Sequence, residues 1–266
     1  MVNVNNVKLA YEIHGTGEIP LVMVHGSWIA RRQWEPVVTQ LADSFRVLTY
    51  DRRGYSDSGG KANVRENVAD LAALIEHLGM APAWVVGNSF GGSITLRLAG
   101  ERPDLLQGIT AHEPPLFSMV TTDSATAPIA EEDMRTDAAV AERIASGDHA
   151  GAAKQFAEAL GPGTWTRFPP DIRQTMIDNA IAFRDEVIDP DFYDFDPEWI
   201  TDFPHPVLLT QGSQSPPQYA PVITRLAEAI PSAEVSTLTE AGHVPHMESP
   251  EAYAEEIIAF VRRYTP

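Results

Sequence analysis

A serine hydroxyl attacks a carbonyl at neutral pH only if a base stands within hydrogen-bond reach and a carboxylate orients that base. Ser89 is the first residue to consider. It lies in Gly87-Asn88-Ser89-Phe90-Gly91-Gly92, directly after the apolar run Trp84-Val85-Val86 and directly before the helical run Ser93–Ala99. Glycines on both sides permit a sharp strand-to-helix turn that lifts the hydroxyl above the sheet. The competing reading of such a glycine-rich helix start is a phosphate cradle or plain close packing. His243, in Glu240-Ala241-Gly242-His243-Val244-Pro245-His246, falls on a loop before the final helix, over the strand ends where Ser89 would emerge. A loop histidine is by default a solvated surface group. Its place in the order serine, acid, histidine makes it the candidate general base.

Other chemistries find little support. The 266 residues include no cysteine, which removes disulfides, thiolate nucleophiles and Cys-ligated metal sites. His243 and His246 are only three apart, no H-E-x-x-H is present, and Gly15-Thr16-Gly17 lacks the rest of a dinucleotide fingerprint. Neither a metal nor a cofactor is expected. The formal net charge of −18 repels polyphosphates and anionic lipid surfaces, so nucleic acid and membrane are excluded as partners in favour of a neutral small molecule. Residues 1–6 have neither the basic nor the apolar part of a secretory signal, and no apolar run approaches the roughly 18–20 residues of a membrane span. A cytoplasmic location is the expectation, and a homo-oligomer stays open.

Short Val-, Leu- and Ile-rich runs alternate with helical patterns, which predicts an α/β fold with a mostly parallel sheet. Strands are expected at about Val7–His14, Leu21–His25, Arg46–Tyr50, Trp84–Gly87, Gly108–His112, Val207–Gln211 and Glu234–Leu238. Gly15-Thr16-Gly17 reads as a tight turn pairing the first two strands antiparallel. Val68, Leu71, Leu74, Ile75 and Leu78 recur at helical spacing, and Gly79 supplies the stop. A final helix is expected over Glu251–Arg263. From Pro114 to Phe203 only helical stretches appear, at Ala138–Ser146, Ala150–Leu160 and Pro170–Phe183. The reading is a core of residues 1–113 and 204–266 with a helical cap, 114–203, bracketed by prolines.

These elements and motifs together resemble the α/β-hydrolase superfamily. The resemblance runs through His25-Gly26-Ser27-Trp28, Asp51-Arg52-Arg53-Gly54-Tyr55-Ser56, Gly87–Gly92 and Gly242-His243, over essentially the whole chain. It implies an oxyanion hole made by the backbone N–H groups of Ser27 and Phe90, a structural role for His25, and a turn shaped by Asp51 and Arg52. It also implies that Trp28 lines the acyl pocket and that the cap covers the site. Phe117, Met119, Phe156, Leu160, Trp165, Met176 and Phe183 are pocket residues by this reading, against a plain packing role inside the cap. Trp28, Phe117 and Trp165 are the substrate-binding candidates.

The sequence departs from the superfamily at the acid. The common pattern places aspartate in a G-x-x-D segment after the cap, and here the segment reads Gly212-Ser213-Gln214-Ser215. A serine cannot stabilise an imidazolium. Glu113, in Ala111-His112-Glu113-Pro114-Pro115, is the substitute. Its position resembles a minority arrangement found in some haloalkane dehalogenases and in zearalenone-type lactonases; the competing reading is a residue that merely starts the cap. A dehalogenase or epoxide hydrolase would carry a carboxylate in place of Ser89. The expected activity is therefore a serine hydrolase acting on a carboxylic ester or lactone of a neutral, fairly apolar molecule, through Ser89, His243 and Glu113. Alternatives are hydrolysis of a diketone carbon–carbon bond, cofactor-free perhydrolysis, and a small-molecule binding protein with an idle triad.

Overall fold

Side chains alternate across a strand, so an uninterrupted apolar run has to be covered on both faces. The structure, a computed structural model describing residues 1–265, builds its central sheet from such runs. The strands are β1 (Val2–Val4), β2 (Val7–Leu9), β3 (Tyr11–His14), β4 (Ile19–Val24), β5 (Phe45–Tyr50), β6 (Ala83–Asn88), β7 (Leu106–His112), β8 (Val207–Gly212) and β9 (Ala233–Leu238). Seven form one sheet in the order β3-β5-β4-β6-β7-β8-β9, parallel except at the β3 edge. Val22, Val24, Leu48 and Val85 face one apolar core, while Leu21, Met23, Val47 and Val86 face another.

Helices cover both faces. They are α1 (Glu35–Leu41), α2 (Val64–His77), α3 (Phe90–Glu101), α4 (Ala127–Ala145), α5 (His149–Ala159), α6 (Thr164–Arg167), α7 (Pro170–Asp178), α8 (Ala180–Val187), α9 (Tyr219–Ala229), α10 (Pro245–Glu248) and α11 (Pro250–Tyr264). In α2, the Asn63 side chain accepts from the Glu66 N–H and caps the first turn. Val68, Leu71, Leu74 and Ile75 then bury one stripe, and Gly79 leaves the helix at φ 60°. No helix of the described residues is long and apolar enough to cross a membrane.

The expected antiparallel pairing of the first two strands does not occur. Val7–His14 divides into β2, which pairs with β1 in a small separate sheet, and β3, which pairs with β5 rather than β4. Both sides of β4 are taken by the parallel partners β5 and β6. Gly15 and Gly17 do not form a hairpin turn; they let the chain pass against the backbone of Ala42, Ser44 and Phe45, where any Cβ would overlap carbonyl oxygens.

Between β7 and β8 the described chain is helical, without a strand. Val140, Ile144, Ala153, Met176 and Phe183 form a small apolar core of their own, into which Trp28 from the loop after β4 is inserted. The helix expected over Pro170–Phe183 is two, α7 and α8, separated at Asn179. The Asn179 amide donates to the carbonyls of Trp28 (3.1 Å) and Ile29 (3.2 Å) and accepts from the Ser56 N–H (2.8 Å). A side chain that hydrogen-bonds backbone outside its own helix favours a break there.

Candidate active site

The turn from β6 into α3 presents Ser89 at φ 53° and ψ −124°, a left-handed conformation that side-chain-bearing residues rarely adopt. Its own N–H donates to the His112 carbonyl (2.8 Å), and its carbonyl accepts from Gly92 (2.8 Å). The flanking glycines are required by space. A Cβ on Gly91 would overlap the Val24 carbonyl, and one on Gly87 would overlap the Gly91 carbonyl. The loop after β4 passes close by, since a Cβ on Gly26 would stand 3.0 Å from the Ser89 Cβ.

His243 reaches the same place from the loop after β9. Asn88, next to the serine, donates from its amide to the His243 carbonyl (2.9 Å) and so ties that loop to the turn. The imidazole stacks on Tyr219, the first residue of α9, at 4.2 Å and 12° between planes. Its Nδ1 is 2.8 Å from Glu113 Oε2. The second oxygen, Glu113 Oε1, accepts from the Gly212 N–H (2.8 Å). Glu113 follows β7, adjacent to β8 in a register that pairs His112 with Thr210. A carboxylate there therefore lies beside the Gly212–Ser215 segment in which the common pattern carries its acid. Burial by itself raises a carboxyl, but here His112 and then His243 outweigh it and hold Glu113 well below the usual carboxylate range. The group is ionised at neutral pH.

Ser27 is fixed by its side chain, whose hydroxyl donates to Glu186 Oε2 (2.8 Å) on α8. Glu186 also accepts from the Tyr55 hydroxyl (2.6 Å) and pairs with the buried Arg52 guanidinium. Core and cap thus share a buried polar knot that holds the Ser27 side chain. Phe90 is the first residue of α3, where helix N–H groups have no partner in the helix itself. His25 Nε2 accepts from the Arg52 N–H (2.9 Å), and its Nδ1 lies 2.7 Å from the Gly26 carbonyl. Burial and the nearby Arg52 keep its pKa far below the ordinary histidine value. A neutral, fully engaged ring is structural. Asp51 accepts from the Arg31 and Asp57 N–H groups and shapes the turn.

Ser89 and His243 line one cavity together with Ser27, Trp28 and Leu160. A second, adjoining cavity is lined by Ser89, Asp133, Asp137, Phe183, Phe192 and Tyr219. Each encloses about 20 Å³, room for about one water molecule. Of the expected substrate contacts, the structure brings Trp28 to the cavity, stacked on Phe183 at 4.4 Å. It does not bring Phe117, which is fully buried against Tyr193 and Tyr219, or Trp165, which packs on the flank of the cap under Arg173. Phe117 joins the apolar core on one face of the sheet, and Trp165 packs against the cap's own core. Asp133, Asp137, Glu186 and Tyr219 were not singled out from sequence, because none belongs to a motif and each reaches the site from a separate helix turn.

His112, Glu113 and His243 bring one ring nitrogen or carboxylate oxygen each within 4.8 Å of one another, the spacing of a metal site. Both Glu113 oxygens already accept hydrogen bonds, and His112 Nδ1 is engaged with Thr210 Oγ1 (2.9 Å). This donor set serves an acid–imidazole pair better than a cation.

A seven-stranded sheet, a serine at a strand-to-helix turn and a carboxylate–histidine pair at the same sheet edge define an α/β hydrolase. The sequence matches the alpha/beta hydrolase family over residues 21–256, and the chain belongs to it as an enzyme. In sequence it is 27% identical over 273 residues to the dihydrolipoyllysine-residue acetyltransferase component of the acetoin cleaving system of Pseudomonas putida. That match covers 96% of this chain and 66% of the relative, just under two thirds of its length. A thermophilic esterase from Thermogutta terrifontis superposes with a TM-score of 0.79 at 27% identity, covering 98% of this chain and 95% of the other. An alpha/beta hydrolase from Sphaerobacter thermophilus gives 0.72 at 28% identity, covering 96% of each.

Proposed function

We propose that the enzyme is a serine hydrolase that cleaves a carboxylic ester or lactone through an acyl-enzyme on Ser89. The observation that carries this is the 2.8 Å pairing of His243 Nδ1 with an ionised Glu113, in a loop tied to the Ser89 turn. With Nδ1–H donated to Glu113, Nε2 is the free basic nitrogen. It takes the Ser89 proton as Oγ attacks the carbonyl carbon, and Glu113 stabilises the imidazolium so formed. The Ser27 and Phe90 amides receive the developing oxyanion, a contribution worth about 10²–10³ in rate per donor. His243 then protonates the departing alkoxide. Water, deprotonated in turn by His243, attacks the acyl-enzyme and releases the acid. A lactone follows the same steps with both products joined.

The similarity to a thermophilic esterase along nearly the whole chain supports the reading. The test is stoichiometric labelling by a fluorophosphonate, read by intact mass, with Ser89→Ala as blank. Wild type should add one label per chain and Glu113→Gln should label far more slowly. A wild type that stays unlabelled overturns the nucleophile; a Glu113→Gln variant that labels at the wild-type rate overturns the acid.

A further inference from the structure

The wall of the cavity facing Ser89 carries two carboxylates that the acyl-transfer steps do not use. Asp133 and Asp137 are four residues apart on α4 and so share one helix face. Asp137 is 6% exposed, and Asp133 is half-buried. Each is held by a neutral donor: Gln218 Nε2 to Asp133 Oδ1 and the Tyr193 hydroxyl to Asp137 Oδ2, both at 2.8 Å. Neither belongs to an ion pair with lysine or arginine among the described residues. Holding both carboxylates ionised there without a cation is costly; protonation relieves that cost in the free protein, and a bound cation would favour the ionised form instead. The same cavity supplies the rest of a cation's surroundings. Tyr219 is 4% exposed and lines it, and its hydroxyl has no hydrogen-bond partner among the described residues. Phe156, Phe183 and Phe192 line it too.

We propose that Asp133 and Asp137 form an ammonium subsite, so that the substrate is an ester or lactone carrying a protonated amine. This rests on the reading of Ser89 as the acylated residue and replaces the neutral substrate expected from sequence. The titratable groups around the pair are Tyr193 after α8, Tyr219 on α9, His243, and Glu113 beyond it. Burial pushes Asp133 up to about 6, and burial together with Asp133 lifts Asp137 well above the ordinary aspartate value. An ammonium prefers an ionised carboxylate, and Asp133 ionises as pH rises through about 6, so selectivity for the amine grows over that range. Taking the ratio of two esters cancels the separate titration of His243.

The experiment compares kcat/KM for methyl 6-aminohexanoate, methyl heptanoate and methyl 6-hydroxyhexanoate between pH 5 and 8. Wild type should favour the amine over the heptanoate about tenfold or more above pH 7, and less at pH 5. In Asp133→Asn and Asp137→Asn the ratio should fall toward one. A ratio at or below one in wild type, a ratio flat with pH, or one unchanged in both variants overturns the subsite. So does a hydroxy ester favoured as strongly as the amine, which would mark a neutral hydrogen-bonding site. The wild-type pH series needs no variant to fold. Fluorophosphonate labelling separates the two failures: a labelled Ser89 with no amine preference sinks the subsite alone, whereas an unlabelled enzyme inert to all three esters sinks the acyl-transfer reading and the subsite with it.

Discussion

Glu113 leaves β7 at φ 44°, so two of the three proposed triad residues, Ser89 and Glu113, sit in the left-handed region, as does Trp28 at φ 70°. Such a conformation costs about 1–3 kcal/mol in a residue with a side chain, and it persists where the surroundings fix it. At Glu113 the fixing contacts are the Gly212 N–H and His243, one on each carboxylate oxygen. The Glu113 carboxylate stood out in sequence because it ended a strand next to a vacated G-x-x-D position, and the structure sets it 2.8 Å from His243. The same adjacency makes a prediction. The Ser215 hydroxyl is buried, without a hydrogen-bond partner, in the segment beside Glu113. Glu113→Gln should lower kcat/KM by about 10²–10⁴. Adding Ser215→Asp should recover at least about tenfold of that loss in steady-state ester hydrolysis. No recovery would mean that the β8 side of the site cannot orient His243.

At the scale of elements, the apolar runs gave away six strands of the main sheet, because only a strand covered on both faces tolerates such sequences. What they could not show was the neighbour of each strand. β3 is half-exposed and joins the edge of β5, a choice made by close approach of Gly15 and Gly17 to the α1–β5 turn. The break between α7 and α8 was hidden for a related reason: Asn179 fits a helical pattern, and its partners Trp28, Ile29 and Ser56 lie more than a hundred residues away. Asn179→Ala removes these hydrogen bonds and leaves two buried carbonyls short of a donor. It should destabilise the protein by about 2–3 kcal/mol by thermal or denaturant unfolding. It should also raise KM, since Trp28 loses its tether beside the cavity. An unchanged KM would show that stacking on Phe183 alone positions Trp28.

For the whole molecule, the acid limb of stability is set by buried histidines as well as by carboxylates. Burial holds His246 down to about 3, and burial with Arg52 holds His25 well below 6.5. Both are depressed in the folded state, so their contribution is full above about pH 6.5. It declines as pH falls toward the folded value, by about 1.4 kcal/mol per pH unit for each ring. His246 packs against Trp34 with ring centroids 4.5 Å apart and planes tilted by 38°, and neither ring nitrogen is hydrogen-bonded, so an apolar residue loses no bond there. His246→Leu should remove about 2 kcal/mol of the stability lost between pH 6.5 and 5, seen as a smaller Tm difference between pH 7 and pH 5. An identical difference in both proteins would remove His246 from the account.

The amino-acid sequence by itself determined the α/β core, the turn that lifts Ser89, the loop that carries His243 and the carboxylate at Glu113. Each of these depends on a local pattern: an apolar run, glycines at fixed offsets, a residue at a strand end. Tertiary structure decided what those residues meet. It took Phe117 and Trp165 into packing roles, anchored Ser27 on Glu186 across the cap, and set Asp133 and Asp137 from α4 against the cavity of Ser89. Contacts such as Ser27 with Glu186, 159 residues apart, leave no periodicity in the chain, because the free energy that selects them arises only when the cap closes on the core.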